Sequence, residues 1–324
     1  MRCELEADDS RTFPGVTLFT KKHTRCLKPT AVYFRRDYAA PGRKLNVVIW
    51  LHGFFVTDHE FLFHGDPAKI REQVRNSNKD VVLIAPFLGR RDPSHKDYST
   101  GDLATAKWGE RYLDEVLSAI SRFQSPDSRD PPRLQVGKLV IACHSAGGAA
   151  MRNLVASLGK YKSNLRACWG FDCLYGAKAT PDDATFWHQW LSGAGTGVLD
   201  VIYGPTTIPQ SVKLDLMGRG LATAEGDKAE PRRPALKNLN VSMGHHDASP
   251  ALHRKTRIND DDPASVDRVM LPHVADVAAI DYRKGRHGQY LEMAIANVHK
   301  AFRFPKEIHY MIARAGFLDR LRKL

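Results

Sequence analysis

The 324 residues, 43% of them hydrophobic, suffice for a large core, and no run approaches the roughly 18 apolar residues of a membrane-spanning helix. A net charge of +12 raises nucleic acid as a partner, but the pairs Lys21/Lys22, Arg35/Arg36, Arg90/Arg91 and Arg232/Arg233 are scattered and accompany no zinc-finger or RNP-like motif, so no nucleic-acid partner is expected. The start MRCELEADDSRTF lacks a signal-peptide core, and Cys3, Cys26, Cys143, Cys168 and Cys173 form neither an even-numbered disulfide framework nor a CxxC pair; a cytoplasmic protein of one domain over 1–324 is expected.

In chain order, AVYFRR (31–36) is the first strand candidate, and LNVVIWLHG (45–53) follows as a β-branched, apolar run closed by glycine, the pattern of a strand buried on both faces. A helical stretch near Pro67 to Asn76 precedes VVLIAPF (81–87), a short apolar run that ends at proline. In LATAKWGERYLDEVLSAISRF (103–123), Leu103, Trp108, Tyr112, Leu113, Val116, Leu117 and Ile120 recur at helical spacing. KLVIACHS (138–145) runs straight into AGGAAMRNLVASLG; LRACWGFD (165–172) leads to the helical ATFWHQWL and then to GVLDVIYG (197–204).

Strands alternating with helices predict an α/β protein with a doubly wound, mostly parallel central sheet and helices on both faces. Further on, LNVSMG (239–244) and DVAAIDYR (276–283) both read as strands, of which only one need join the sheet. QYLEMAIANVHKAF (289–302) and IHYMIARAGFLDRLRKL (308–324) are helical by period, and the extended polar loops of 205–275 are a candidate lid. Within them NDDDP (259–263) lacks the alternating acidic spacing and distal glutamate of a calcium loop, and no HExxH or clustered ligands point to a metal.

The chemistry-bearing signal is CHSAG (143–147), a small-x-Ser-x-small pattern between an apolar strand and a helix start. So sharp a turn tolerates only small residues two positions either side of its centre, and Cys143, Gly147 and Gly148 are small. It exposes Ser145 at a helix N-terminus, where the N–H of Ala146 can stabilise an oxyanion.

LVIACHSAGG, with VVIWLHGF before it and FDCLYG after it, resembles the α/β-hydrolase superfamily across roughly residues 30 to 305, and within it bacterial members of undefined substrate. The resemblance implies that the loop His52-Gly53-Phe54-Phe55 supplies the second oxyanion donor, the N–H of Phe54 or Phe55, with His52 supporting the loop. It also implies the order serine, acid, histidine.

Asp172, at the end of the strand after the nucleophile's helix, is the first acid candidate. The more common position follows the next strand, but GVLDVIYGPTT offers no carboxylate beyond Tyr203, only Asp200 within the strand; Asp182 and Asp183 are the alternatives. For the base, His287 in YRKGRHGQY matches the superfamily's strand, histidine loop, helix order, while His246 in NVSMGHHDASP, beside His245, also follows an apparent strand. His64, His253 and His273 lie in polar loops without that context.

These residues predict a serine hydrolase acting on an ester or amide through an acyl-enzyme, without a cofactor. Phe54, Phe55, Phe61, Phe63 and Phe87 suggest an apolar acyl pocket, and Arg283, Lys284 and Arg286 around His287 suggest an anionic substrate. The rival reading is a non-catalytic member of the fold, a ligand-binding or interaction scaffold.

Overall fold

The computed structural model describes residues 16–19, 29–35, 38–39, 42–54, 56–89, 107–193, 197–204, 207–220, 236–244, 270–271 and 308–324. They group into two compact units, 1–167 with 320–324, and 168–319.

In the first unit the strands β1 (Val16–Phe19), β2 (Thr30–Phe34), β3 (Lys44–Leu51), β4 (Val82–Pro86) and β5 (Gln135–His144) lie in the order β1-β2-β4-β3-β5. β3 pairs in parallel with β4 on one side and β5 on the other, Ile49 standing opposite both Ile84 and Ile141. Covered from every side, its Val47-Val48-Ile49-Trp50-Leu51 run is wholly buried, which is why it reads as continuously apolar rather than alternating. β2 runs antiparallel to β1 and β4 and forms the turn away from the parallel set.

The helices of this unit are α1 (Phe61–His64), α2 (Ile70–Asn76), α3 (Trp108–Gln124) and α4 (Gly147–Ala156). The expected apolar stripe of α3 is the buried one, and Tyr112 at its centre shares a 2.9 Å hydrogen bond with Thr30 of β2. Gly109 lets α3 approach α4, since a Cβ there would lie 2.7 Å from Leu154 Cδ1. β1 is absent from the elements expected from the sequence, and of the expected helix 103–123 the residues 103–106 lie outside the described ones.

The division between the units falls within β6 (Leu165–Phe171). The second unit continues with β7 (Val198–Tyr203), β8 (Leu239–Gly244) and β9 (Met270–Leu271), in the order β6-β7-β8-β9. β7 and β8 are parallel and are joined through α6 (Ile208–Gly218), a crossover helix that packs on α5 (Asp183–Ser192). α6 and β8 thus occupy part of the stretch assigned to a candidate lid; the remainder of 205–275, apart from β9 and short flanking stretches, lies outside the described residues, as do 276–283, 289–302 and NDDDP.

α7 (Ile308–Lys323) carries Phe317, whose ring meets Trp169 at 6.0 Å and Phe171 at 6.3 Å, both edge-on. A Cβ on Gly316 would lie 2.7 Å from Ile202 Cδ1 and 2.9 Å from Phe171 Cε1, so glycine brings this helix down onto β6 and β7. Among the described residues no helix is long and apolar enough to cross a membrane.

Candidate active site

Ser145 sits between β5 and α4 with φ +54°, the left-handed region that a non-glycine residue enters only at a cost of roughly 1–2 kcal/mol. Its neighbours explain how the turn closes. A Cβ on Gly147 would strike the Leu51 carbonyl oxygen and lie 3.0 Å from that of His52, so the start of α4 rests against the end of β3. A Cβ on Gly53 would lie 2.8 Å from Ser145 Cβ and 3.2 Å from its Oγ. The His52-Gly53-Phe54 loop therefore passes directly beside the serine.

His52 is fully buried, with both ring nitrogens engaged. Nε2 accepts from the Leu88 N–H at 2.8 Å, which makes Nδ1 the protonated nitrogen, donating to the Gly53 carbonyl at 2.6 Å. Its ring stacks on Phe87 at 5.6 Å. This histidine builds the loop. Phe63 is buried under the Arg71 guanidinium, 6.0 Å from the ring centre, so Phe63 and Phe87 both have packing roles. Phe55 lies outside the described residues. Ala146 is the N-cap of α4, and the Gly148 N–H is taken up by the Ser145 carbonyl at 3.1 Å.

In the second unit Asp172 follows β6, also left-handed at φ +45° and 1% exposed. Its own N–H is tied to the Ile202 carbonyl of β7 at 2.7 Å. Three donors converge on the carboxylate. The Gly204 N–H and the Thr207 hydroxyl reach Oδ1 at 2.9 and 2.5 Å, and His309 Nδ1 reaches Oδ2 at 2.6 Å. Burial pushes the Asp172 pKa up, but the hydrogen bonds from His309 and Thr207, the imidazole's charge and the Gly204 N–H outweigh it and hold the carboxyl below the usual carboxylate range.

The other acids are engaged elsewhere. Asp182 caps α5 by accepting from the Thr185 N–H at 2.8 Å and pairs with Lys213 at 2.6 Å; Asp183 accepts from the Gly176 N–H at 2.6 Å. Asp200 lies on β7. His287, with Arg283, Lys284 and Arg286, and His246 lie outside the described residues.

The histidine that meets Asp172 is thus His309, in the first turn of α7, which sequence reasoning passes over. The available signal is its place in the chain: it lies downstream of both Ser145 and Asp172, and it is the last histidine. Among the described residues no cluster of His, Cys, Asp and Glu could hold a metal ion.

No family model and no curated protein matches the chain. Among solved structures it is similar to an S-formylglutathione hydrolase from Agrobacterium tumefaciens, at 13% identity and a TM-score of 0.39 over 82% of this chain and 98% of that one. It is similar to a mutant feruloyl esterase module from Clostridium thermocellum, at 12% identity and a TM-score of 0.43 over 75% and 87%, and to a ferulic acid esterase, at 13% and 0.47 over 73% and 93%. With mostly parallel strands, helices packed on them and a serine held left-handed where a buried strand turns into a helix, the chain has the α/β-hydrolase fold.

Proposed function

We propose that the protein is a serine hydrolase that cleaves an ester, or an amide, through an acyl-enzyme, with Ser145 as nucleophile, His309 as base and Asp172 as acid. The observation that carries this reading is the elbow: a left-handed Ser145 with Gly147 and Gly53 packed so tightly that neither tolerates a Cβ. Such strain persists only where the surroundings enforce it, and it presents Oγ at the start of a helix, where developing negative charge is favoured.

In the proposed reaction Ser145 Oγ attacks the acyl carbonyl as its proton passes to His309 Nε2. Asp172 receives the Nδ1–H, which fixes the tautomer in which Nε2 is the acceptor, and its charge stabilises the imidazolium. A carboxylate held below its usual pKa stays ionised throughout. The N–H groups of Ala146 and Phe54 are assigned to the oxyanion, a pair of donors of the kind whose loss costs about 2.7–4 kcal/mol each. The protonated histidine then releases the leaving group, and water, deprotonated by the same base, frees the acyl group.

The test is labelling by a fluorophosphonate probe of the folded protein and of S145A, H309A, H287A and H246A. Labelling lost in S145A and H309A and retained in the other two supports the assignment. Retention in H309A with loss in H287A or H246A returns the base to a loop histidine, and absence of labelling in the folded protein overturns the hydrolase reading.

A further inference from the structure

We propose that Thr207 is a positioning residue for this reaction, its hydroxyl holding the Asp172 carboxylate in the one orientation that presents Oδ2 to His309. The inference rests on the triad proposed above and concerns the stretch that follows β7, where the sequence supplies no acid.

Thr207 stands at the N-cap of α6, with φ −109° and ψ 6°. Threonine is favoured at that place because its oxygen can accept an N–H from the first turn of its own helix. Here the side chain makes no capping hydrogen bond. Its hydroxyl donates instead across 35 residues of chain to Asp172 Oδ1, at 2.5 Å. Pro209 at the second helical position offers no N–H to a cap, so the hydroxyl has the Gln210 N–H or Asp172 to serve, and it serves Asp172.

The arrangement at Asp172 gives the reason. A carboxylate held by one donor can rotate about its Cβ–Cγ bond. Two donors on the same oxygen, the Gly204 N–H and the Thr207 hydroxyl, fix that oxygen and leave the other for His309. Gly204 permits the close approach, because a Cβ there would lie 2.8 Å from Oδ2 and 3.0 Å from Cγ. Thr207 is fully buried and Asp172 is 1% exposed, so bulk water cannot stand in for a missing hydroxyl. Among the described residues the titratable group facing Asp172 is His309; Thr207 and Gly204 are its neutral partners.

The experiment compares the wild type with T207V, which keeps the shape and removes the hydroxyl, and T207S, which keeps the hydroxyl. The readouts are kcat, KM and the pH profile of kcat/KM on p-nitrophenyl butyrate, with S145A as the reference for enzyme-dependent turnover. T207V is expected to lose about ten- to a hundredfold in kcat, the range for a hydrogen bond to a buried charge, with KM little changed. Its acidic limb is expected to move to higher pH, because a carboxylate with one donor fewer holds the imidazolium more tightly. T207S is expected to restore most of kcat and the limb.

A T207V kcat within about twofold of wild type with an unmoved limb overturns the role of Thr207 while leaving the triad standing. So does a T207S variant as impaired as T207V, since packing of the methyl group would then account for both. If T207V does not fold, T207S decides: preserved kcat and limb support the proposal and their loss overturns it. Wild-type turnover no greater than that of S145A overturns the triad, and the positioning role with it.

Discussion

Replacing Asp172 by asparagine tests the second half of the site without changing its shape. Three donors, the Gly204 N–H, the Thr207 hydroxyl and His309 Nδ1, meet this carboxylate. An amide offers one oxygen and one NH2. With the oxygen toward Gly204 and Thr207, the NH2 faces His309 and forces Nδ1 to accept, so the proton moves to Nε2 and the ring can no longer take one from a serine. The flipped amide would set its NH2 against the Gly204 N–H, leaving that donor unsatisfied at about 1–3 kcal/mol, and would force the Thr207 hydroxyl to turn and accept. The first orientation therefore wins, and with it the wrong tautomer. The same substitution in a well-studied serine protease lowers kcat about 10⁴-fold, and a loss of that order is expected here. Stability should change far less. The lost charge-assisted bond is worth about 1.5–3 kcal/mol, but the carboxylate no longer has to be desolvated, so the net change stays under about 2 kcal/mol. The assay is hydrolysis of p-nitrophenyl butyrate beside urea unfolding. A D172N variant keeping more than about a tenth of wild-type kcat would falsify the role given to the Asp172–His309 pair.

Gly147→Ala should destabilise by roughly 1–3 kcal/mol, although alanine in a helix is ordinarily worth up to about 1 kcal/mol over glycine, because the new Cβ meets the Leu51 and His52 carbonyls; a raised Tm in a thermal melt would contradict the elbow packing. Ser145→Gly should be at least as stable as Ser145→Ala in urea, reversing glycine's usual deficit of about 0.5–1 kcal/mol, because glycine relieves the left-handed φ of +54°; if the glycine variant shows the ordinary deficit, no such strain is present. Asp66 is pushed up to about 6, by burial first, against the Ala68 N–H and with Glu72 adding to the rise. The unfolded chain then releases this proton first, so stability falls as pH rises from about 4 through 6 and the penalty remains above. Asp66→Asn keeps an oxygen for the Ala68 N–H and should stabilise by on the order of 1–3 kcal/mol at pH 8 while doing little at pH 4, and equal shifts in Tm at the two pH values would refute the assignment.

The parallel core was legible because its signals are local. β3, β4 and β5 are buried along most of their length, so each appears as an unbroken apolar run closed by glycine, proline or the elbow. The turn at Ser145 was legible for the same reason, since a turn this tight restricts the residues next to it in sequence, whereas the Gly53 loop is far from it in the chain and was implied by the resemblance alone. β1 escaped because four residues carry too little pattern, and their pairing with β2 is what makes them a strand. His309 escaped because a histidine in a helical period looks like any other polar position. What brings it to Asp172 is the seating of α7 by Gly316 and Phe317 on Phe171 and Ile202, contacts far apart in the chain. The resemblance also implies a histidine in a loop, and His309 lies inside the helix.

The missing acid after β7 has a physical sense once Asp172 is seen with its partners. The stretch after β7 points two donors at the carboxylate that ends β6, the Gly204 N–H at 2.9 Å and the Thr207 hydroxyl. A second carboxylate at either position would stand within hydrogen-bonding distance of the first in a site closed to solvent, and one of the two would have to remain protonated. At Thr207 it would also replace a donor by an acceptor, leaving the Asp172 charge supported by His309 and a single N–H. The acid and its cradle therefore exclude each other from the same place. With the acid on β6, the residues after β7 must be neutral, small where the carboxylate approaches and able to donate, and Gly204 and Thr207 meet those conditions. The absence of a carboxylate beyond Tyr203 in GVLDVIYGPTT and the presence of a hydroxyl that does not cap its own helix are then one fact about the site, read once from the sequence and once from the structure.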